Sequence, residues 1–334
     1  MNQVLSLPVR RWRAGPSPAA GAAAMAPGII SVGLYLVGRE VASLAALALA
    51  GALWLVLAVG FTARLVGDRG RFRAEADTPA ALTGVAATTV LGSRLSLLGW
   101  NTAAAALLAL AAALWPGLTL AVVRHWQRRM PGAVFLVCVA TQGLAVLAAI
   151  LAVACRQEWL ARAALAAFCL GLLLYGTAFA RFDLREVVHG AGDHWVAGGA
   201  LAISSLAGAK LTAVPVWTGR AHEALRWATL VTLALSLAWY VLLLAAELRQ
   251  WRPHYDIRRW ATVFPLGMTA TACLSAAGPT GVPALRALGE PLLWIAVAAW
   301  LLTFAAFTAN RFGGHPESGR PAPHRPGSDH PATP

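Results

Sequence analysis

Residues 41–63, VASLAALALAGALWLVLAVGFTA, contain no acidic side chain, no Lys and no Arg, and residues 223–247, EALRWATLVTLALSLAWYVLLLAAE, carry charge only near their ends. About 20 apolar residues in helical form span the hydrocarbon core of a bilayer. Inside that core each backbone amide must find its partner within the protein, so a helix is the form such a run takes. Ten runs of this kind, 18–37, 41–65, 79–97, 101–123, 132–153, 159–180, 193–213, 223–248, 258–277 and 289–309, predict an all-α integral membrane protein with ten transmembrane helices. With 58% hydrophobic and 12% charged residues, nothing is left over for a soluble domain. The layout is a cytoplasmic segment at 1–17, a transmembrane domain at 18–310 and a tail at 311–334, rich in Pro, Gly and Ser, that has too little to bury to fold.

The chain has a formal net charge of +13, yet its basic residues form no single stripe, which argues against nucleic acid as a partner. They mark topology instead. Arg10, Arg11 and Arg13 precede the first run, and Arg64, Arg69, Arg71 and Arg73 follow the second. Arg124, Arg128, Arg129, Arg181, Arg185, Arg249, Arg252, Arg258 and Arg259 follow later even-numbered runs, and Arg311, Arg320 and Arg325 lie in the tail. These alternate connections belong in the cytoplasm by the positive-inside rule, which places both termini there and requires an even number of spans in the plasma membrane. The N-terminal VRRWRAG superficially matches a twin-arginine export signal, but no cleavage site and no soluble cargo follow it. Cys138, Cys155, Cys169 and Cys273 have no CxxC spacing and are read as packing residues.

Polar and helix-disturbing residues concentrate in the odd runs: PGIISVGLY, LTGVAATTVLGSRL, VATQGLAV, GGALAISSLAGAK and TVFPLGMTAT. Their centres lie near 30, 88, 142, 204 and 265, a spacing of about 60 that makes the unit a helical hairpin repeated five times. Five like hairpins can close into a pseudo-five-fold ring around a central pore. Polar groups are tolerated at membrane depth where they face protein or water, so the odd helices are expected inside and the even ones outside. The competing reading is that Gly, Ser and Thr serve close helix packing, as small residues do in membranes generally.

An inner lining made of Ser31, Thr88, Thr89, Ser93, Thr141, Gln142, Ser204, Ser205 and Thr269 offers hydroxyl and amide donors, with no acidic residue away from the ends. Cation paths carry acidic rings or ordered carbonyls, so this lining suits anions. Arg94 and Lys210 fall at corresponding outer ends and are expected to form a basic mouth, the alternative being that they reach to lipid headgroups. Pro265 removes a backbone hydrogen bond in the ninth run. A kink there turns Phe264 toward the axis as a hydrophobic constriction, or leaves it as packing.

In order along residues 26–310, the stretches GIISVGLYLVG, VAATTVLGSRLSLLGW, VATQGLAVLAA, ALAISSLAGAKL and above all YDIRRWATVFPLGM resemble one family. It is the tellurite-resistance/C4-dicarboxylate transporter family, which includes TehA-like bacterial channels, fungal malate permeases, sulfite exporters and the slow anion channels of plant guard cells. The resemblance implies a central pore in each subunit of a homotrimer, transport of small anions or dicarboxylates without a cofactor, and a pore gate at Phe264 and Pro265. APGII in the first run and HWVAGGALAISS in the seventh depart from the family pattern at positions that bear on pore polarity, so the anion is left open.

Two other classes compete with an anion channel or transporter. A proton- or potential-coupled exporter of sulfite, tellurite or an organic acid needs a titratable group in the path, for which Asp193 and His194 are the nearest candidates; Asp193 also reads as a helix N-cap. An intramembrane enzyme needs a catalytic constellation at membrane depth, and neither HExxH nor paired Asp nor Ser with His is present in the spans.

Overall fold

The computed structural model of the chain describes residues 21–189, 192–249 and 259–312. The segment read as cytoplasmic at 1–17, the arginines at 252 and 258, and the tail from 313 onward lie outside these. Ten helices of at least 16 residues run through the described part: α1 (Gly21–Leu36), α2 (Glu40–Gly67), α3 (Leu82–Leu97), α4 (Asn101–Arg124), α5 (Leu136–Ala154), α6 (Glu158–Phe179), α7 (Val196–Thr212), α8 (Gly219–Arg249), α9 (Trp260–Ala276) and α10 (Ala284–Phe312). Counting the short 3-10 turns that lead into α3 and α5, seven of these are long and apolar enough to cross a membrane. Among the described residues there is no strand, and a single bridge joins Met130 to Phe182.

Each helix packs against its hairpin partner, α1 on α2 through α9 on α10. The odd helices also touch one another in a cycle, α1 to α3, α3 to α5, α5 to α7, α7 to α9 and α9 back to α1, while each even helix leans on the next odd one. Burial follows that division. Most of α5, α7 and α9 is buried, whereas α2 buries only Ser43, Leu47 and Ala50 along its length. The odd helices can approach closely because glycine stands at the contacts: a Cβ on Gly28 would strike Val90, one on Gly143 would strike Thr89, and one on Gly199 would strike Pro265.

The turns at one end of the bundle share a device. Gly38, Gly99 and Gly281 leave α1, α3 and α9 with positive φ, the left-handed exit that a helix C-terminus favours. At the equivalent turn after α5 the residue is Arg156, at φ 53°. Several boundaries differ from those the runs predict, and α8, for instance, starts at Gly219 rather than 223. The last helix starts at Ala284 rather than 289, because Arg286 and Glu290 pair along it at 3.3 Å and let the helix continue past the apolar stretch. Asp193 is the first residue of a 3-10 turn capped by Gly192 with no side-chain cap bond, so it is not an N-cap. Cys138 and Cys273 are buried, but Cys155 and Cys169 are exposed and pack in no core.

Candidate functional site

A narrow cavity lies where the five odd helices meet. Ile29 and Val32 of α1, Thr89 and Ser93 of α3, Gly143 and Ile150 of α5, Ile203 and Lys210 of α7, and Met268 of α9 contribute to its wall. Its open volume of about 20 Å³ is enough for roughly one water molecule. The wall is mostly hydrocarbon. Ser93 donates to the Thr89 carbonyl at 2.8 Å and Thr89 to the Ala86 carbonyl at 2.9 Å, so both hydroxyl protons are engaged on their own helix. Half-buried Lys210 is the one cationic side chain among the described residues of this wall.

Phe264 is 2% exposed and stands one helical turn before Met268, on the same face of α9. Pro265, its neighbour, lies flat against Gly199 of α7, a contact that only a residue without a side chain permits. Thr269 donates to the Pro265 carbonyl at 2.9 Å, which ties the turn that follows the missing amide. The sequence pairing of Phe264 with Pro265 therefore brings an aromatic ring and a tight helix contact to one level of the cycle.

Of the residues read as pore-lining, Thr89 and Ser93 reach the cavity. Most of the others bond sideways. Ser31 and Ser43 exchange hydroxyl-to-carbonyl bonds at 2.7 Å, joining α1 to α2. Thr88 accepts from Trp54 Nε1 at 2.8 Å and Thr141 from Trp115 Nε1 at 2.9 Å, each joining an odd helix to an even one. Gln142 donates through Nε2 to the Phe168 carbonyl at 3.1 Å, and Ser205 donates to the Thr229 carbonyl at 3.1 Å. Ser204 turns back on the Ala200 carbonyl, and Thr269 approaches Ser236 of α8 at 3.5 Å. Packing accounts for these hydroxyls residue by residue.

Arg94 is placed otherwise than at an open mouth. Its side chain is fully buried, with Nη2 on Glu40 Oε1 at 2.8 Å, Nε on Ser43 Oγ at 3.0 Å and the guanidinium 4.4 Å from the Tyr35 ring centroid. A guanidinium withdrawn from solvent needs such partners, and here they come from the first hairpin. Sequence reading missed Glu40 because it reads as a polar end of an apolar run. It also missed Ile29, Val32, Ile203 and Met268, because an apolar residue facing a cavity has the same composition as one facing a neighbour.

Comparison with known proteins adds a family and two partial relatives. A family model described as SLAC1, voltage-dependent anion channel, matches residues 17–308. Two relatives, uncharacterized membrane proteins of Mycobacterium tuberculosis called MT1776 in strain CDC 1551 / Oshkosh and Rv1735c in strain H37Rv, are each 32% identical over 124 residues. That stretch covers 34% of this chain and 61% of each relative.

Proposed function

Because the chain belongs to the voltage-dependent anion channel (SLAC1) family, we propose that it carries small anions or carboxylates across the plasma membrane through the cavity at the centre of the odd helices. The carrying observation is that this cavity draws wall residues from α1, α3, α5, α7 and α9 together. On this reading all ten helices cross the membrane as five hairpins in a pseudo-five-fold ring, with both termini in the cytoplasm and three subunits assembled with one pore each. Lys210 supplies the positive potential that draws an anion in, and Arg94, paired with Glu40, anchors the wall rather than meeting the ion. Phe264 closes the passage as a hydrophobic constriction, with Pro265 fixing its helix against α7.

The test is anion flux from purified protein in liposomes, wild type against Phe264→Ala, with chloride, nitrate, malate and sulfite in turn. The expected result is a large rise in flux on removing the ring, with the same order of anions in both proteins. A mutant that stops transporting while wild type transports would sink the gate. Silence of both proteins toward all four anions counts against the channel reading itself.

A further inference from the structure

A second cavity, of about 310 Å³, opens on the outer surface of the bundle between α2 and α4. Trp54 and Phe61 of α2 and Leu110 and Leu114 of α4 form its sides, and Thr88 of α3 its floor. Its roof is Phe72 on the short helix Arg69–Ala76, which folds back along α2. Among the contacts that hold the roof, Phe61 meets Phe72 edge to face at 4.9 Å and Arg64 pairs with Glu75 at 2.9 Å. Leu65 and Leu110, both more than 40% exposed, leave the rim open to the surroundings.

The wall selects its guest by what it withholds. Trp54 Nε1 donates to Thr88, Thr88 to the Gly84 carbonyl, Thr62 to the Ala58 carbonyl and Thr83 to the Ala80 carbonyl, so these polar groups are satisfied within the protein. A polar guest would find little to bond, and a hydrocarbon guest fills apolar volume. Trp54 to Leu65 is eleven residues of helix, about 16 Å of rise, close to half of a bilayer core about 30 Å thick. The cavity thus has the depth of one leaflet. At its roofed end the chain reads RLVGDRGRFRAE from Arg64, with four arginines against Asp68 and Glu75, and Arg73 is exposed there.

The geometry points to a lipid site: one acyl chain of an anionic glycerophospholipid lies in this cavity, and its phosphate sits at the arginine-rich short helix. Nothing in the transport reading requires this site, and its test does not use transport.

The full-length protein is incorporated in nanodiscs of mixed phosphatidylglycerol and phosphatidylcholine and released for native mass spectrometry. Wild type is expected to retain one phosphatidylglycerol per chain in preference to phosphatidylcholine. Leu114→Trp, which fills the cavity, is expected to lose that lipid, and Arg73→Gln to lower the preference about fivefold while keeping a lipid bound. Because a filled cavity can misfold, the wild-type site is also read directly: brominated acyl chains should quench the emission that Trp54→Phe removes. Retention of phosphatidylglycerol by a folded Leu114→Trp, or no quenching of Trp54, overturns the site. Equal retention of the two lipids overturns the headgroup assignment. Loss of subunit association in Leu114→Trp, with no lipid retained by wild type, overturns it in favour of a second copy of the chain covering the groove.

Discussion

Helices α2 and α5 are both strongly apolar, yet 6% of the most apolar window of α2 is buried in the protein and 94% of that of α5. Apolarity places both in the membrane and says nothing about which faces lipid. Both carry small and hydroxylated residues, and what separates them is how closely neighbours approach at those residues. In α5 these let neighbours approach, as Gly143 does with Thr89, and they bond across, as Thr141 does with Trp115. In α2, Gly51 meets nothing that an added Cβ would strike. An interior in lipid is therefore defined by closeness of approach rather than by greasiness.

The strongest way to break this contrast uses charge. Arg94→Met should cost about 3 kcal/mol, the low end for a buried pair because Glu40 is half exposed and can reach water. Arg162→Met on the outer face of α6 breaks a pair whose members are 71% and 68% exposed, and should cost under about 0.5 kcal/mol. Thermal unfolding of the detergent-solubilised protein measures both, and equal losses would mean that the inner and outer faces do not differ. Volume is the next probe. Gly143→Leu on α5 should lose about 1–3 kcal/mol by overpacking, whereas Gly117→Leu on α4, with open space around it, should be neutral or gain up to about 1 kcal/mol in helix propensity.

Smaller effects sharpen the comparison further. Thr141→Val removes the acceptor of Trp115 Nε1 and should lower stability by about 0.6 kcal/mol, a typical interhelical bond in lipid, while Thr177→Val on exposed α6 should leave it unchanged. Smallest is the turn after α5: Arg156→Gly relieves a left-handed side-chain residue and should raise the midpoint of unfolding by the equivalent of about 0.5 kcal/mol. A fall instead would mean that the Arg156 side chain makes a contact worth more than its strained backbone.

Hairpins, helix positions and the inner and outer assignment were legible because each rests on periodic composition: apolar runs of bilayer length, and small residues recurring at about 60-residue intervals. Direction was not. Thr88 and Thr89 are adjacent and alike in sequence, but one accepts from Trp54 on α2 and the other lines the central cavity, because successive helical residues point about 100° apart. Reading Ser31, Gln142 and Ser205 as lining assumed that a hydroxyl or amide in a membrane must seek water. The Ser31 and Ser205 hydroxyls and the Gln142 Nε2 instead each donate to a carbonyl on the neighbouring even helix, which satisfies these donors without a pore. The partnership of Arg94 with Glu40 was hidden for a different reason: it spans 54 residues and joins two hairpins, so no local pattern encodes it.

The bridge at Met130 has a mechanical meaning. Met130 donates to the Arg181 carbonyl at 2.9 Å and accepts from the Asp183 amide at 3.0 Å, so the strands of chain entering and leaving the third hairpin are stitched together by main chain alone. Apart from proline, which has no amide hydrogen, a substitution at Met130 or Asp183 leaves the donors and acceptors of that stitch in place. The hairpin α5–α6 is thereby a stave riveted at its foot, able to tilt as a unit but not to slide one leg past the other, and the Asp183 amide should exchange its hydrogen as slowly as those within the helices it joins.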